Sequence, residues 1–364
     1  RLTPLAQSLP ATVPFVGPEA QERARGTPFR ARIGANESVF GPSPGVVRAM
    51  SDTAAEVWKY PDPENHELTA ALAAHLGVAA DNIVVGEGID GLLGYTVRLF
   101  AGPGDAVVTS DGAYPTFNYH VVGHGAELHK VPYKDDHEDP EALVAKARET
   151  GAKLLYMSNP DNPMGTWHGA EVLSALMSEL PAGCLLILDE AYGEFAPAST
   201  LPPLDTSNPQ VLRFRTFSKA YGMAGARVGY AIGDAAVVSA FDRVRNHFGM
   251  TRMTQAGALA ALNDQAWLSH VITETSAARS RIAEVAITNG LSPLPSAANF
   301  VAVDCGHDGG FARRVLSALG DAGLFVRMPF VAPQDRAIRI GCGTAADLDL
   351  LEAALPGALA HARP

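Results

Sequence analysis

Cysteines, charged residues and long apolar runs are all scarce in this sequence. Its 364 residues include three cysteines, Cys184, Cys305 and Cys342, whose spacing matches no metal-binding motif. An odd and sparse set of cysteines indicates a reducing compartment and argues against a disulfide framework. The apolar runs are too short to cross a bilayer and no segment resembles a signal peptide. We therefore expect a cytoplasmic protein with no membrane partner.

Basic residues are outnumbered, since 28 Lys and Arg face 39 Asp and Glu and the formal net charge is −11. Nucleic acids and anionic membranes bind clustered basic residues, so we expect neither as a partner. Hydrophobic residues make up 47% and charged residues 18% of the chain, a balance that predicts a large folded core and argues against disorder. A small anionic substrate stays compatible with this composition, because a few local arginines can outweigh a diffuse negative surface.

Short apolar runs alternate with segments of helical periodicity from about His66 onward. This alternation is typical of an α/β domain with a mainly parallel sheet. The predicted strands are residues 83–85, 106–110, 153–158, 185–188, 211–216 and 228–232, and then 300–303, 324–326 and 338–340 in a smaller α+β domain. We therefore expect a large domain over residues 42–250 and a small domain built from residues 1–41, as an N-terminal arm, and 251–364.

A glycine-rich turn, Gly86-Glu87-Gly88-Ile89-Asp90-Gly91, follows the first predicted strand and opens a helix. It matches the G-x-G-x-x-G pattern of dinucleotide sites, and Asp111 ends the next strand at about the distance expected of a ribose-binding acid. The residues themselves support a narrower statement, which is that N–H groups at a helix N-terminus form a phosphate site. A dinucleotide and a smaller phosphate-bearing cofactor both need such a site, and a simple tight turn would have the same sequence.

The most informative segment runs from Phe214 to Tyr230. An apolar strand leads into Ser218-Lys219, and a glycine-rich bend and Arg227 follow before the next strand. Desolvation among aromatic neighbours lowers the pKa of a lysine towards the range in which its amine forms an imine. The hydroxyl of Ser218 and the forked guanidinium of Arg227 suit a phosphate dianion.

Two further predicted strands end in polar motifs. Residues 185–192, Leu-Leu-Ile-Leu-Asp-Glu-Ala-Tyr, place Asp189 and Tyr192 after a buried strand. Residues 159–165, Asn-Pro-Asp-Asn-Pro-Met-Gly, place Asn162 after another strand. Ligands of open α/β sheets lie outside the carboxyl ends of the strands, so we expect these side chains to meet Lys219 there.

These motifs together resemble those of the fold-type I aminotransferases, which depend on pyridoxal 5′-phosphate (PLP), and most of all the histidinol-phosphate aminotransferase branch. The resemblance runs from about Val13 to Thr344. It implies fold type I of the PLP-dependent transferases and a Schiff base between Lys219 and PLP. An acidic partner keeps the ring nitrogen of PLP protonated, so that the cofactor works as an electron sink. The implied catalytic residues are Lys219, Asp189 and Tyr192, with Asp189 on the ring nitrogen.

The resemblance also assigns residues that bind the cofactor and the substrate. In it, Asn162 and Tyr192 bind the phenolic oxygen, Phe117 stacks on the ring, and Tyr60 reaches the cofactor phosphate of a neighbouring subunit. A homodimer with shared active sites is therefore implied. The implied cofactor-binding set is Gly88, Ile89, Asp90, Phe117, Asn162, Asp189, Tyr192, Ser218, Lys219, Arg227 and Tyr60. The implied substrate-binding set is Arg339, Arg327, Asn36 and Phe15.

Several positions depart from the branch. Gly88-Ile89-Asp90-Gly91 replaces Gly-Ser-Asp-Glu, residues 36–41 lack a proline, Phe15 replaces a frequent tyrosine, and Met164 replaces a threonine. These changes leave the cofactor site intact and leave histidinol phosphate open as the substrate.

We expect a ping-pong aminotransferase that moves an amino group from an amino acid, or from histidinol phosphate, to a 2-oxo acid. Lys219 would act as general base and then general acid. A decarboxylase of the same fold, similar to threonine-phosphate decarboxylases, would use the same cofactor residues. A regulatory protein with such a domain as a sensor would need an attached DNA-binding module. A dehydrogenase would leave Lys219, Asp189 and Asn162 unexplained.

Overall fold

The structure is a computed structural model that describes residues 1–11 and 15–363. Val13, where the resemblance begins, lies outside the described residues. The helices are α1 Pro4–Ser8, α2 Pro18–Arg25, α3 Pro44–Thr53, α4 His66–Leu76, α5 Gly88–Phe100, α6 Pro115–Gly123, α7 Pro140–Thr150, α8 Ala170–Ser178, α9 Ala235–Ser239, α10 Arg252–Asn263, α11 Gln265–Thr288, α12 Gly309–Asp321 and α13 Ala345–Ala362. The strands are β1 Ala31–Arg32, β2 Ile83–Gly86, β3 Ala106–Ser110, β4 Glu127–Val131, β5 Leu154–Ser158, β6 Leu185–Asp189, β7 Val211–Thr216, β8 Gly229–Ile232, β9 Ser292–Pro293, β10 Phe300–Asp304, β11 Leu324–Phe325 and β12 Ala337–Gly341.

The large sheet has seven strands in the order β2-β8-β7-β6-β5-β3-β4. Only β8 runs antiparallel to its neighbours, β2 and β7, so the expectation of a mainly parallel α/β sheet is confirmed. The sequence pattern missed β4, because this edge strand carries exposed and half-buried polar residues such as His129 and Lys130 and shows no apolar run.

The central strands are buried along their whole length, which explains why each reads as an almost continuous apolar run. Their register aligns the ends that matter, because Ser158 of β5 pairs with Asp189 of β6, and Asp189 pairs with Phe214 of β7. Parallel pairing therefore brings the polar residues after β5, β6 and β7 to one edge of the sheet.

The smaller part of the fold has two sheets. Strands β9, β10 and β12 form an antiparallel sheet, and β1 from the N-terminal arm pairs in parallel with β11. One buried core joins Ala31 and Ile33 of the arm to helices α12 and α13. The arm is thus held by the C-terminal part of the chain.

The change from one core to the other falls within helix α11. Its first part, with Leu268 and Val271, packs in the core that also contains Leu72, whereas Ile282 and Val285 pack with the C-terminal helices. Helix α10 packs against α3 and α4 as well. A domain boundary at residue 250 stays a prediction. The change from one hydrophobic core to the other lies later in the chain, within α11. No helix among the described residues is both long and apolar enough to cross a membrane.

A buried charge cluster ties β6 to β7. Arg213 and Arg215 lie two residues apart and so point to the same face of β7. Their Nε atoms donate to the two carboxylate oxygens of Glu190, which follows β6, at 2.6 and 2.8 Å. Glu190 is fully buried and Arg213 nearly so. The cluster fixes the β6–β7 edge immediately beside Asp189.

We predict that Glu190→Gln destabilises the fold by about 3 kcal/mol or more, because it leaves two buried arginines without their counter-charge. The measurement is urea unfolding followed by circular dichroism. The matched control is Glu179→Gln, which removes the acid of an exposed pair with Arg148 and should cost at most about 1 kcal/mol. Equal effects of the two changes would contradict the predicted role of the buried cluster.

Candidate active site

A cavity of about 490 Å³ opens at the carboxyl ends of β5, β6 and β7. Most of the predicted site residues line it, namely Phe15, Asn36, Ile89, Asp90, Asn162, Asp189, Tyr192, Ser218, Lys219, Arg227, Arg327 and Arg339. The wall also contains residues that the sequence pattern did not single out, including Glu37, Tyr114, Thr116, Tyr156, Ser158, Thr216 and Phe330. Motifs that are distant in the sequence meet here because several of them follow neighbouring parallel strands, whose carboxyl ends lie at one edge of the sheet.

Lys219 follows β7 and points its amine into the cavity. Its Nζ donates a hydrogen bond of 3.0 Å to the main-chain oxygen of Asn36 and lies 5.6 Å from the centre of the Tyr192 ring. Burial lowers the pKa of Lys219 to about 8, and the nearby positive charge of Arg339 acts in the same direction. An amine with this pKa is partly neutral near pH 7 and can act as a nucleophile or a base.

Asp189 is buried at the end of β6. Its Oδ2 accepts a hydrogen bond of 2.8 Å from the Tyr156 hydroxyl, and its Oδ1 accepts one of 3.0 Å from the Ala191 N–H. Burial raises the pKa of Asp189 to about 6, and the two donors partly oppose that shift. The carboxylate is therefore poised to hold a cationic partner inside the cavity.

A buried hydrogen-bond network joins the N-terminal arm to the site. Asn36 takes a left-handed conformation with φ 57°, and its Nδ2 donates to the Tyr192 hydroxyl at 3.0 Å. Asn299 donates from Nδ2 to the main-chain oxygen of Asn36 at 3.1 Å. The Oδ1 atoms of both asparagines are buried and have no hydrogen-bond partner among the described residues. The arm thus supplies a wall of the cavity and the acceptor for Lys219.

One end of the cavity is built to hold an anion. Helix α5 begins at Gly88, and a Cβ at this position would overlap the Arg227 guanidinium, so glycine allows the arginine to lie over the helix N-terminus. Arg227 donates to Ser218 Oγ at 3.4 Å and has no acidic partner within ion-pair distance among the described residues. The guanidinium of Arg227 also donates to the main-chain oxygen of Ala224 at 2.9 Å. The helix N-terminus, the hydroxyl of Ser218 and this guanidinium together suit a phosphate.

Two arginines occupy the other end. Arg327 and Arg339 exchange main-chain hydrogen bonds of 3.2 and 2.6 Å, which sets their side chains beside each other. Arg339 Nη1 donates to Asn162 Oδ1 at 2.6 Å, and its buried Nε has no hydrogen-bond partner among the residues that the structure describes. Burial lowers the pKa of Arg339 to about 10. The Arg327 guanidinium lies 4.2 Å from the centre of the Phe15 ring and 5.8 Å from that of Phe330.

The loop that carries Asn162 rests on two buried acids. Glu138 accepts hydrogen bonds from the Ser110 hydroxyl at 2.6 Å and from the N–H of Ser158 at 2.8 Å. Asp161 accepts one from the Tyr133 hydroxyl at 2.8 Å. Burial and the nearby charge of Asp161 raise the pKa of Glu138 well above its ordinary value. No local motif pointed to Glu138, because its partners Ser110 and Ser158 lie 28 and 20 residues away in the sequence.

Phe117 does not lie where the sequence-based assignment placed it, whereas Tyr60 was expected to serve a neighbouring subunit and that stays a prediction. Phe117 is fully buried and stacks on Tyr156 with ring centres 4.5 Å apart, so it does not form the cavity wall. Tyr114, which precedes helix α6, supplies the aromatic ring there. Expecting Phe117 to face the ligand was wrong, because α6 begins at Pro115 and turns this side chain into the core. Tyr60 lies outside the cavity, 78% exposed, beside Phe248.

Comparison with known proteins identifies the family. The model of "Aminotransferase class I and II" matches residues 32–355. The chain belongs to this family. The aminotransferase is 36% identical over 332 residues to histidinol-phosphate aminotransferase 1 of Mesorhizobium japonicum, with 89% of each chain covered. It is 35% identical to histidinol-phosphate aminotransferase 2 of Caulobacter vibrioides, covering 98% of this chain and 94% of the relative.

Solved structures agree with this assignment. The crystal structure of histidinol-phosphate aminotransferase from Sinorhizobium meliloti in complex with pyridoxal-5′-phosphate matches with TM-score 0.96 and 54% identity, over 99% of this chain and 98% of that one. Aspartate aminotransferase from Thermus thermophilus with maleate shares the fold, with TM-score 0.82 and 23% identity. The protein is a PLP-dependent aminotransferase. These comparisons do not favour the decarboxylase alternative, and they leave no support for a dinucleotide at the glycine-rich turn.

The residues present fit PLP. The cavity offers groups that suit a phosphate at the start of α5, the buried carboxylate of Asp189, and the buried amine of Lys219, which has no acidic partner within ion-pair distance in the described part of the chain. Bound PLP supplies an electron sink for the substrate carbon that loses its proton. The chain's own part is to hold the anions, exclude water, and provide an amine that gains and loses a proton near neutral pH.

We predict that Lys219 of the cofactor-stripped aminotransferase reacts with an acylating reagent with a pH midpoint near 8. Its rate should rise as the pH rises through this value, because only the neutral amine attacks. Mass spectrometry of the labelled peptide gives the midpoint. In Arg339→Met the midpoint should move upward, since a nearby positive charge is removed. A midpoint near the ordinary lysine value of ~10.4 in the unchanged protein would refute the predicted desolvation of Lys219.

Proposed function

We propose that this aminotransferase takes histidinol phosphate as its amino donor and a 2-oxo acid as its acceptor. The observation that carries the proposal is the pair Arg327 and Arg339, two cations that line the cavity and have no acidic partner within ion-pair distance among the described residues. A phosphate monoester brings a dianion to this end, and charge-assisted forked hydrogen bonds suit that charge. The relatives named histidinol-phosphate aminotransferase support the same donor.

The rings around Arg327 suit the rest of such a donor. Phe15 and Phe330 lie at the mouth of the cavity, and both are largely exposed. A planar imidazole that enters between the cofactor and the arginines would cover these rings. The same surface also accepts an aromatic amino acid, whose α-carboxylate would pair with the Nε and Nη groups of Arg339.

We propose the following roles for the residues around the cofactor. Lys219 binds PLP covalently and moves the proton during transfer. Asp189 pairs with the ring nitrogen, and Asn162 and Tyr192 face the phenolic oxygen. The side-chain oxygen of Asn162 accepts from Arg339, which leaves its N–H groups free to donate. The phosphate is held by Arg227 and Ser218, with the α5 residues Gly88, Ile89 and Asp90. Tyr114 takes the stacking role that was expected of Phe117.

A homodimer with shared active sites is part of the proposal. Its support is an exposed apolar patch that includes Tyr60, with Val57, Trp58 and Phe248 all more than half exposed. Large exposed apolar patches typically mark protein–protein interfaces. We also propose a cytoplasmic location, which is consistent with three buried cysteines that form no disulfide.

The substrate proposal predicts that Arg327→Ala lowers kcat/KM for histidinol phosphate by about 10- to 100-fold, the scale of one lost hydrogen bond to a charged group. Histidinol provides the matched substrate, because it keeps the amine and imidazole but has no phosphate. Its rate should change less than about threefold. Arg148→Ala, at an exposed arginine far from the cavity, is the control for surface charge. An equal loss with both substrates would show that Arg327 does not read the phosphate.

The dimer proposal predicts complementation between two inactive variants. A Tyr60→Ala chain retains Lys219, and a Lys219→Ala chain retains Tyr60, so a mixed dimer has one complete site. After unfolding and refolding together, equal amounts should recover about a quarter of the wild-type activity per site, whereas each variant refolded alone should stay weak. Activity of the mixture equal to the sum of the separate variants would mean that Tyr60 serves its own subunit or no site at all.

A further inference from the structure

Tyr156 lies in β5 and is fully buried, yet its ring forms part of the cavity wall. Its hydroxyl donates to Asp189 Oδ2 at 2.8 Å. The ring stacks on Phe117 with centres 4.5 Å apart and an interplanar angle of 17°, so the hydroxyl cannot swing away without disturbing the core. The Ala191 N–H donates to the other oxygen of Asp189. Each carboxylate oxygen therefore has one fixed donor from the protein.

We propose that Tyr156 is a positioning residue for Asp189. The Tyr156 hydroxyl keeps the Asp189 carboxylate ionised and turned towards the ring nitrogen of the cofactor. The proposal rests on the role of Asp189 given above. Tyr156 does not itself touch the reacting atoms in this scheme. It acts through the carboxylate that it holds.

The physical reason is that Asp189 has no cationic partner within ion-pair distance among the described residues. A buried carboxylate in such a place stays ionised only if hydrogen bonds stabilise its charge. The pKa of Asp189 is already raised by burial to about 6, although both donors are present. Loss of the Tyr156 hydroxyl removes one of two stabilising donors. The proton shared with the ring nitrogen then moves towards the carboxylate, and the ring loses positive charge.

Other titratable groups also act on this pair and stay in place when the hydroxyl is removed. Lys219 and Glu190 influence Asp189, while Glu138 and Tyr114 influence Tyr156. The change Tyr156→Phe keeps the ring, its stacking on Phe117 and its volume. A difference between the two proteins therefore reports the hydroxyl.

The experiment compares wild-type holoenzyme with Tyr156→Phe, Asp189→Asn and the double variant. The readouts are the dissociation constant of PLP, the pH midpoint of the near-visible absorbance of the bound cofactor, and kcat and KM for the amino donor. We expect Tyr156→Phe to bind PLP roughly 10-fold more weakly. Its absorbance midpoint should shift upward. A positive charge on the ring nitrogen repels a proton on the lysine-linked nitrogen, so a less positive ring lets that nitrogen keep its proton to a higher pH. Asp189→Asn should shift the midpoint in the same direction and further, and KM should change little.

The double variant tests whether Tyr156 acts through Asp189. In the Asp189→Asn background, Tyr156→Phe should change the affinity for PLP by less than about twofold. It should move the absorbance midpoint by less than about 0.3 pH units, because the effects of two interacting residues are not additive. Additive effects would overturn the proposal. So would a Tyr156→Phe enzyme with wild-type affinity and midpoint while Asp189→Asn is impaired. If Asp189→Asn itself leaves the midpoint unchanged, the role of Asp189 fails first and the inference fails with it.

A second replacement gives a shift of opposite sign and guards against a folding defect. A 3-fluorotyrosine at position 156 keeps the shape of tyrosine but has a more acidic hydroxyl, which donates more strongly. The absorbance midpoint should then move downward from the wild-type value. An upward shift, or none, would contradict a role for the hydroxyl as a donor to Asp189.

Discussion

The site depends on one constraint, which is that a buried amine and a buried carboxylate face the same cavity without pairing with each other. Lys219 donates to the main-chain oxygen of Asn36, and Asp189 is held by Tyr156 and the Ala191 N–H. Burial disfavours both charges, so it lowers the pKa of Lys219 to about 8 and raises that of Asp189 to about 6. A direct ion pair would have moved both values the other way and would have occupied the groups that the cofactor needs.

The fold keeps these groups apart through the register of parallel strands. Asp189 is the last residue of β6 and Lys219 follows the neighbouring strand β7. The Glu190 cluster with Arg213 and Arg215 holds these two strands together. The partner of Lys219 comes from elsewhere, since Asn36 belongs to the arm that pairs with β11 near the C-terminus. The aminotransferase site is therefore completed only when both ends of the chain have packed.

The sequence predicts those parts of the site in which a motif and its place in a strand coincide. Strands 106–110 and 211–216 have the predicted bounds, and polar residues at the ends of β5, β6 and β7 line the cavity. Tyr114 and Phe117 show where this reasoning stops. They lie three residues apart at the start of α6, and the sequence does not show which of them faces the cavity. The structure turns Phe117 into the core, where it packs against Tyr156. Glu138 was missed for a related reason, because its importance lies in hydrogen bonds to Ser110 and Ser158 that no local pattern encodes.

The two ends of the cavity are formed by different parts of the chain. This explains why the sequence predicts the type of reaction better than it predicts the substrate. The cofactor end is formed by residues that follow consecutive elements of one sheet, so short motifs describe it. The end at which we propose that the substrate binds combines Phe15 of the arm with Arg327, Phe330 and Arg339 of the C-terminal part, and Arg327 also donates to the Val16 main-chain oxygen. A change in the arm alters the surroundings of Arg327 without touching Lys219 or Asp189. The preference for an amino donor can therefore vary among aminotransferases of this fold while the cofactor residues stay the same. The two ends of the cavity meet at Asn162, which contacts Arg339.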